Sequence, residues 1–87
     1  MWLAHIYVTL KPVVNDPQGL AIRGALHNLG FQQVSAVRAG KYLEITLDGE
    51  NREAAAQSVS DMCRKLLANQ VIEDSRFDLE EVIDRGR

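Results

Sequence analysis

Apolar residues alternate with others from residue 2 to residue 10. Trp2, Ala4, Ile6, Val8 and Leu10 share one side, and Leu3, His5, Tyr7 and Thr9 share the other. A period of two in a run rich in β-branched and aromatic residues predicts a strand. The second side is not plainly polar, so partial cover is expected there. Pro12 ends the strand. Asp16-Pro17 then reads as a helix N-cap followed by proline at the first helical position, where its missing N–H is no loss. Ile22, Ala25, Leu26 and Leu29 recur at helical spacing, and Gly30 is placed for a left-handed stop. Gly24 costs this helix about 1 kcal/mol relative to alanine. With Ala21 and Ala25 it marks a place where another backbone comes close.

From Val34 to Asp48 the pattern reads as two strands around Ala39-Gly40. Leu43, Ile45 and Leu47 share one face, and Tyr42, Glu44 and Thr46 the other. A tight hairpin is the simplest interpretation, with one long strand bent by a bulge at Gly40 as the alternative. Asp48-Gly49-Glu50-Asn51 is turn chemistry, and Asn51 can cap a helix over residues 52–68. In that helix Ala55, Val59, Met62 and Leu66 form the stripe, Glu53 sits near the positive end, Arg64 and Lys65 near the negative end, and Asn69 is a left-handed stop. A last strand begins near Glu73 or Asp74, with Phe77 and Leu79 on one face.

The order strand, helix, strand, strand, helix, strand predicts an α+β fold, a β-α-β-β-α-β two-layer sandwich. Two helices cover one face of an antiparallel sheet, and the other face, carrying Leu3, Tyr7 and Tyr42, is open to a partner. The chain is expected to oligomerise through that face. One domain over residues 1–81 is followed by a polar tail, 82–87, expected to fray.

Composition narrows the chemistry. Ten basic and twelve acidic residues among 87 leave no basic footprint for phosphate backbones, and aromatic residues for base stacking are few, which argues against an RNA-binding module of the same strand order. The single cysteine, Cys63, cannot form an intrachain disulfide and points to a reducing cytoplasm; within the apolar stripe it acts as a small hydrophobe. No signal-peptide pattern and no membrane-length apolar run is present. His5 and His27 have no neighbours at metal-ligand spacing. The glycines fit neither a dinucleotide fingerprint nor a phosphate loop. The acidic residues from Glu73 to Asp84 read as a solvated run. No nucleophile–base pair emerges, so no catalytic, cofactor or metal residue is assigned. Arg38 and Lys41 bracket the turn at Ala39-Gly40, either as a solvated tip or as a loop that meets an acidic or phosphate-bearing partner.

Several segments resemble one family throughout. They are Val8-Thr9-Leu10-Lys11-Pro12, Asp16-Pro17-Gln18-Gly19, Leu29-Gly30-Phe31, Val37 to Ile45 with its Arg38-Ala39-Gly40-Lys41 element, Met62 to Asn69, Val71 to Asp74, and Arg76-Phe77. Together they are similar to PurS, the small subunit of phosphoribosylformylglycinamidine synthase, over residues 5–80. Gln70 stands where that family commonly has proline, and Ser75 where it often has an aromatic residue. The resemblance implies a non-catalytic bridging subunit of a ligase complex in purine biosynthesis. That enzyme converts formylglycinamide ribonucleotide, glutamine and ATP into formylglycinamidine ribonucleotide, glutamate, ADP and phosphate. The implied partners are other copies of the chain, as dimer or tetramer, a large synthetase subunit holding ATP and magnesium, and a glutaminase subunit. Neither nucleic acid nor membrane is implied, and shielding of ammonia between active sites is. Tyr7, Thr9, Tyr42 and Glu44 are the expected subunit contacts, and Arg38 and Lys41 the expected contacts to the larger subunits. A metabolite-sensing regulatory domain binding near residues 16–19 is the alternative.

Overall fold

The computed structural model describes residues 1–83. Three strands, β1 (Trp2–Leu10), β2 (Gly40–Leu47) and β3 (Glu73–Glu81), form one antiparallel sheet in the order β2-β1-β3. Helix α1 (Pro17–Asn28) lies between β1 and β2, and α2 (Arg52–Met62) between β2 and β3. β1 is central, which accounts for its unusually apolar alternation. Trp2, Ala4, Ile6 and Val8 are buried against Ala55, Val59 and Cys63 from the α2 side, with Ala68 and Leu79 completing the core. Leu43, Ile45, Leu47 and Phe77 pack at its margin. The register pairs Ile6 with Leu43 and Phe77, so the apolar positions of all three strands fall on one face.

The N-caps form as the sequence predicts. The Asp16 carboxylate accepts from the Gly19 N–H at 2.9 Å, and the Asn51 side chain from the Ala54 N–H at 2.8 Å. Gly30 takes a φ of 102°, which only glycine adopts cheaply. The second helix does not run straight to Ala68. It widens after Met62 into a π turn over Cys63–Leu67, closed by the Ala68 N–H on the Cys63 carbonyl at 3.1 Å. That turn places both Cys63 and Ala68 in the core. Asn69 is not left-handed either. Its side-chain oxygen accepts from the Val71 N–H at 3.0 Å, and its carbonyl from the Ile72 and Glu73 N–H groups. A side-chain turn therefore does the work assigned to a backbone stop.

Two further expectations need correction. Residues 34–39 form neither the first strand of a hairpin nor part of a bulged strand; the strand begins at Gly40, and the sheet has three strands, not four. The cause is local. The Ala39 N–H is taken by the Asp16 carboxylate at 2.7 Å, which leaves it unavailable to a ladder. Nor do both helices cover the sheet. Only Gly19 of α1 is buried, and no α1 residue enters the core. Of the tail expected from residue 82, Val82 still donates to the Met1 carbonyl at 2.9 Å, and residues 84–87 lie outside the described residues.

Candidate interaction surfaces

Asp16 and Arg38 build a clasp at the root of α1. Asp16 is 4% exposed, and its carboxylate accepts backbone N–H groups from both ends of the excursion, Gly19 at the start and Ala39 at the return. Arg38 sends its guanidinium back over the chain, donating to the Lys11 carbonyl at 2.8 Å and the Val14 carbonyl at 3.2 Å, with its Nε 4.0 Å from Asp16. The Ala39 and Gly19 N–H groups, helped by the Arg38 charge, hold the Asp16 carboxyl below its ordinary value of 3.8 against the opposing effect of burial. Gly19 is part of the same closure. A methyl group on it would land on the Val37 carbonyl oxygen and press on the Asp16 carboxylate. Gly19→Ala is therefore expected to cost about 1–3 kcal/mol, read as a lowered denaturation midpoint. An unchanged midpoint would show that the clasp yields freely.

The sheet face opposite α2 carries a second cluster. The register sets Tyr7 between Tyr42 and Arg76, and His5 between Glu44 and Asp78. The Tyr7 and Tyr42 rings lie 5.1 Å apart at 41°, and the Arg76 guanidinium sits 4.1 Å over the Tyr7 ring. His5 Nε2 donates to the Glu80 carboxylate at 3.0 Å, while Nδ1 meets the Tyr42 hydroxyl. That hydroxyl donates to Glu44 at 2.8 Å. Having one proton, the phenol cannot also donate to His5. Partial withdrawal from water, the hydrogen bond to Glu44 and the nearby carboxylate charges push the Tyr42 phenol up to about 12. Beside the ring pair a depression of about 490 Å³ is lined by Tyr7, Thr9, Gly40, Lys41, Tyr42 and Arg76.

The expected contact residues Tyr7, Thr9, Tyr42 and Glu44 thus share one face. Arg38 and Lys41 part company: Arg38 is engaged by its own chain, and Lys41 lines the depression. Sequence reasoning did not reach His5 as the hub, nor Glu80 as its partner, nor Arg76 as the cover on Tyr7. Alternation does place His5 on the right face, but its partners arrive through the β1–β3 register, which no local pattern encodes. Among the described residues no group of three His, Cys, Asp or Glu side chains could hold a metal ion, and no helix is long and apolar enough to cross a membrane.

A three-stranded sheet backed by one helix, an arm clasped out to one side, and an aromatic, charged open face define a small α+β module built around surfaces for contact. The comparisons give the particular family. The PurS model, described as phosphoribosylformylglycinamidine (FGAM) synthase, matches residues 3–81. The chain is 47% identical over 83 residues to the phosphoribosylformylglycinamidine synthase subunit PurS of Bacillus subtilis, covering 95% of this chain and 98% of that one. It superposes on the crystal structure of Methanocaldococcus jannaschii PurS with a TM-score of 0.86 at 38% identity, covering 95% of this chain and all of the other. A chain in the structure of PurLQS from Thermotoga maritima matches with a TM-score of 0.83 at 29% identity, over 91% of this chain and 96% of that one. The chain belongs to the PurS family of phosphoribosylformylglycinamidine synthase subunits.

Proposed function

We propose that this chain works in the cytoplasm as the bridging subunit of phosphoribosylformylglycinamidine synthase, self-associating and seating a synthetase subunit and a glutaminase subunit against one another. The observation that carries the reading is the match to a chain of the Thermotoga maritima PurLQS structure over nearly the whole of both chains. The distribution of side chains supports it. The polar groups of the open face are spent on one another, as in the Glu80–His5–Tyr42–Glu44 run, rather than gathered around a nucleophile. ATP and magnesium belong to the synthetase partner in this reading. The contribution of this chain is to hold two active sites at a fixed separation, so that ammonia released at one reaches the other before it escapes.

Reconstitution tests this directly. With synthetase and glutaminase present, leaving this chain out is expected to lower glutamine-dependent turnover at least tenfold. Turnover fed by free ammonia should persist, because it bypasses the bridge. Glutamine-dependent turnover that survives omission would overturn the reading.

A further inference from the structure

The aromatic end of the open sheet face holds charged groups that the chain itself does not use. The Arg76 guanidinium lies over the Tyr7 ring, which fixes its plane. Among the described residues neither Arg76 nor Lys41 has an ion-pair partner. Other arginines are engaged: Arg38 donates to the Lys11 carbonyl, Arg52 to the Leu79 carbonyl and Arg64 to the Asp61 carboxylate. Beside Lys41, the Tyr42 ring is 48% exposed. Gly40, the next residue on that face of β2, puts no side chain against this ring. A methyl group there would land on the Val8 carbonyl oxygen, so the gap is built into the β1–β2 ladder.

These groups line the depression of about 490 Å³, and Asp74 lines it with them. A volume of that size suits a small molecule. Lys41 and Tyr42 stand on β2, Asp74 and Arg76 on β3, and Tyr7 between them on β1. Neighbouring strands ~4.8 Å apart set the outer two roughly 10 Å apart, a gap that a lysine and an arginine side chain span together. Charge and shape then limit the occupant. Two cations with free N–H donors call for an oxyanion, and a guanidinium held flat is preorganised for phosphate. The tyrosine rings offer a stacking surface to a planar ring system. The Asp74 carboxylate accepts from hydroxyl groups, as carboxylates do from ribose. A bare oxyanion leaves the rings unused, and a neutral apolar compound leaves both cations unmatched. A strand of nucleic acid running on along the face meets Glu44, Asp78 and Glu80.

The geometry points to a binding site for a nucleoside monophosphate, with the phosphate between Lys41 and Arg76, the ribose hydroxyls on Asp74 and the base against Tyr42. Lys41, read from the sequence as a contact to an acidic or phosphate-bearing partner, meets that description with a small molecule. The site goes beyond the bridging role and does not depend on it, since all of its groups come from one chain. It lies on the face that carries Tyr7, Thr9, Tyr42 and Glu44, so nucleotide binding and subunit contact draw on the same residues.

Nuclear magnetic resonance on the isotope-labelled full chain tests the site, with AMP as the probe. At low salt, AMP is expected to shift the amide signals of Gly40 to Tyr42 and of Asp74 to Arg76 saturably, with a Kd on the order of 1 mM. Inorganic phosphate and adenosine each carry only part of the recognised chemistry and should bind at least tenfold more weakly. Lys41→Gln and Arg76→Gln alter exposed side chains, so both variants should keep the wild-type circular dichroism. Each should weaken AMP about tenfold or more. Shifts that saturate elsewhere on the chain, no saturable shift, or an affinity unchanged in both variants overturns the site. Phosphate binding as tightly as AMP reduces it to an anion contact, and adenosine binding as tightly removes the phosphate contact; either overturns the nucleotide. A single-stranded oligoadenylate that binds this face more than tenfold tighter than AMP overturns it in favour of RNA. All of these readings are taken on the chain alone, so failure here leaves the reconstituted turnover, and the bridging reading with it, untouched.

Discussion

Ile6→Ala is expected to remove about 3 kcal/mol of stability, within the 2–5 kcal/mol that burying no more than a methyl group at a core site costs. Ile6 is fully buried at the centre of the central strand, with Leu43 and Phe77 opposite it on either side. Little around it can collapse into the space, because β1 is held by ladders along both edges and α2 lies across its face. A domain of this size has about 4–13 kcal/mol in total. The variant should therefore melt roughly 12–24 °C lower, measured at one fixed protein concentration so that association does not shift the midpoint. A loss below about 1 kcal/mol would mean that the sheet and α2 are not packed as described.

The second large effect concerns Asp16. Asp16→Ala takes the partner from the Gly19 and Ala39 N–H groups at once and leaves Arg38 without its counter-charge. Loss of an N-cap and of the tie across the arm together should lower the melting temperature by roughly 5–10 °C. The pH dependence carries the sign. The folded-state value of Asp16 lies below its ordinary 3.8, so its stabilisation is complete above that value and drains away as pH falls through the folded one. Asp16→Asn keeps an oxygen for one N–H and loses the charge. It should therefore melt between wild type and Asp16→Ala, with a flatter acid limb than wild type. An acid limb unchanged in both variants would place the titrating group elsewhere.

The sequence made some of this legible and hid the rest for a physical reason. Local patterns worked where local forces decide: the alternation of Trp2 to Leu10, the caps at Asp16 and Asn51, and the left-handed Gly30 all appear as read. They failed where a distant group intervened. Val34 to Ala39 has the composition of a strand, but Asp16 takes the Ala39 N–H and the strand begins one residue later. The stripe on α1 reads as a helix packed on the sheet, yet only Gly19 of it is buried and no α1 residue enters the core. The open face was legible as a face, since Tyr7, Thr9, Tyr42 and Glu44 follow from alternation alone. The hub at His5 was not, because Glu80 reaches it through a pairing between the two ends of the chain.

That pairing has a kinetic consequence. The central strand is made first, and its two neighbours are the third and last elements to be synthesised. β1 therefore waits with both edges bare until β2 closes one of them, and its pairing of Leu3 with Glu80 waits for almost the entire chain. Contacts so far apart in sequence pay their loop-closure entropy before any packing rewards it, which slows folding well below the rate of a helical domain of equal length. In the interval the most apolar strand of the protein is a bare template for another nascent chain, so what decides yield during synthesis is how soon β3 clears the ribosome.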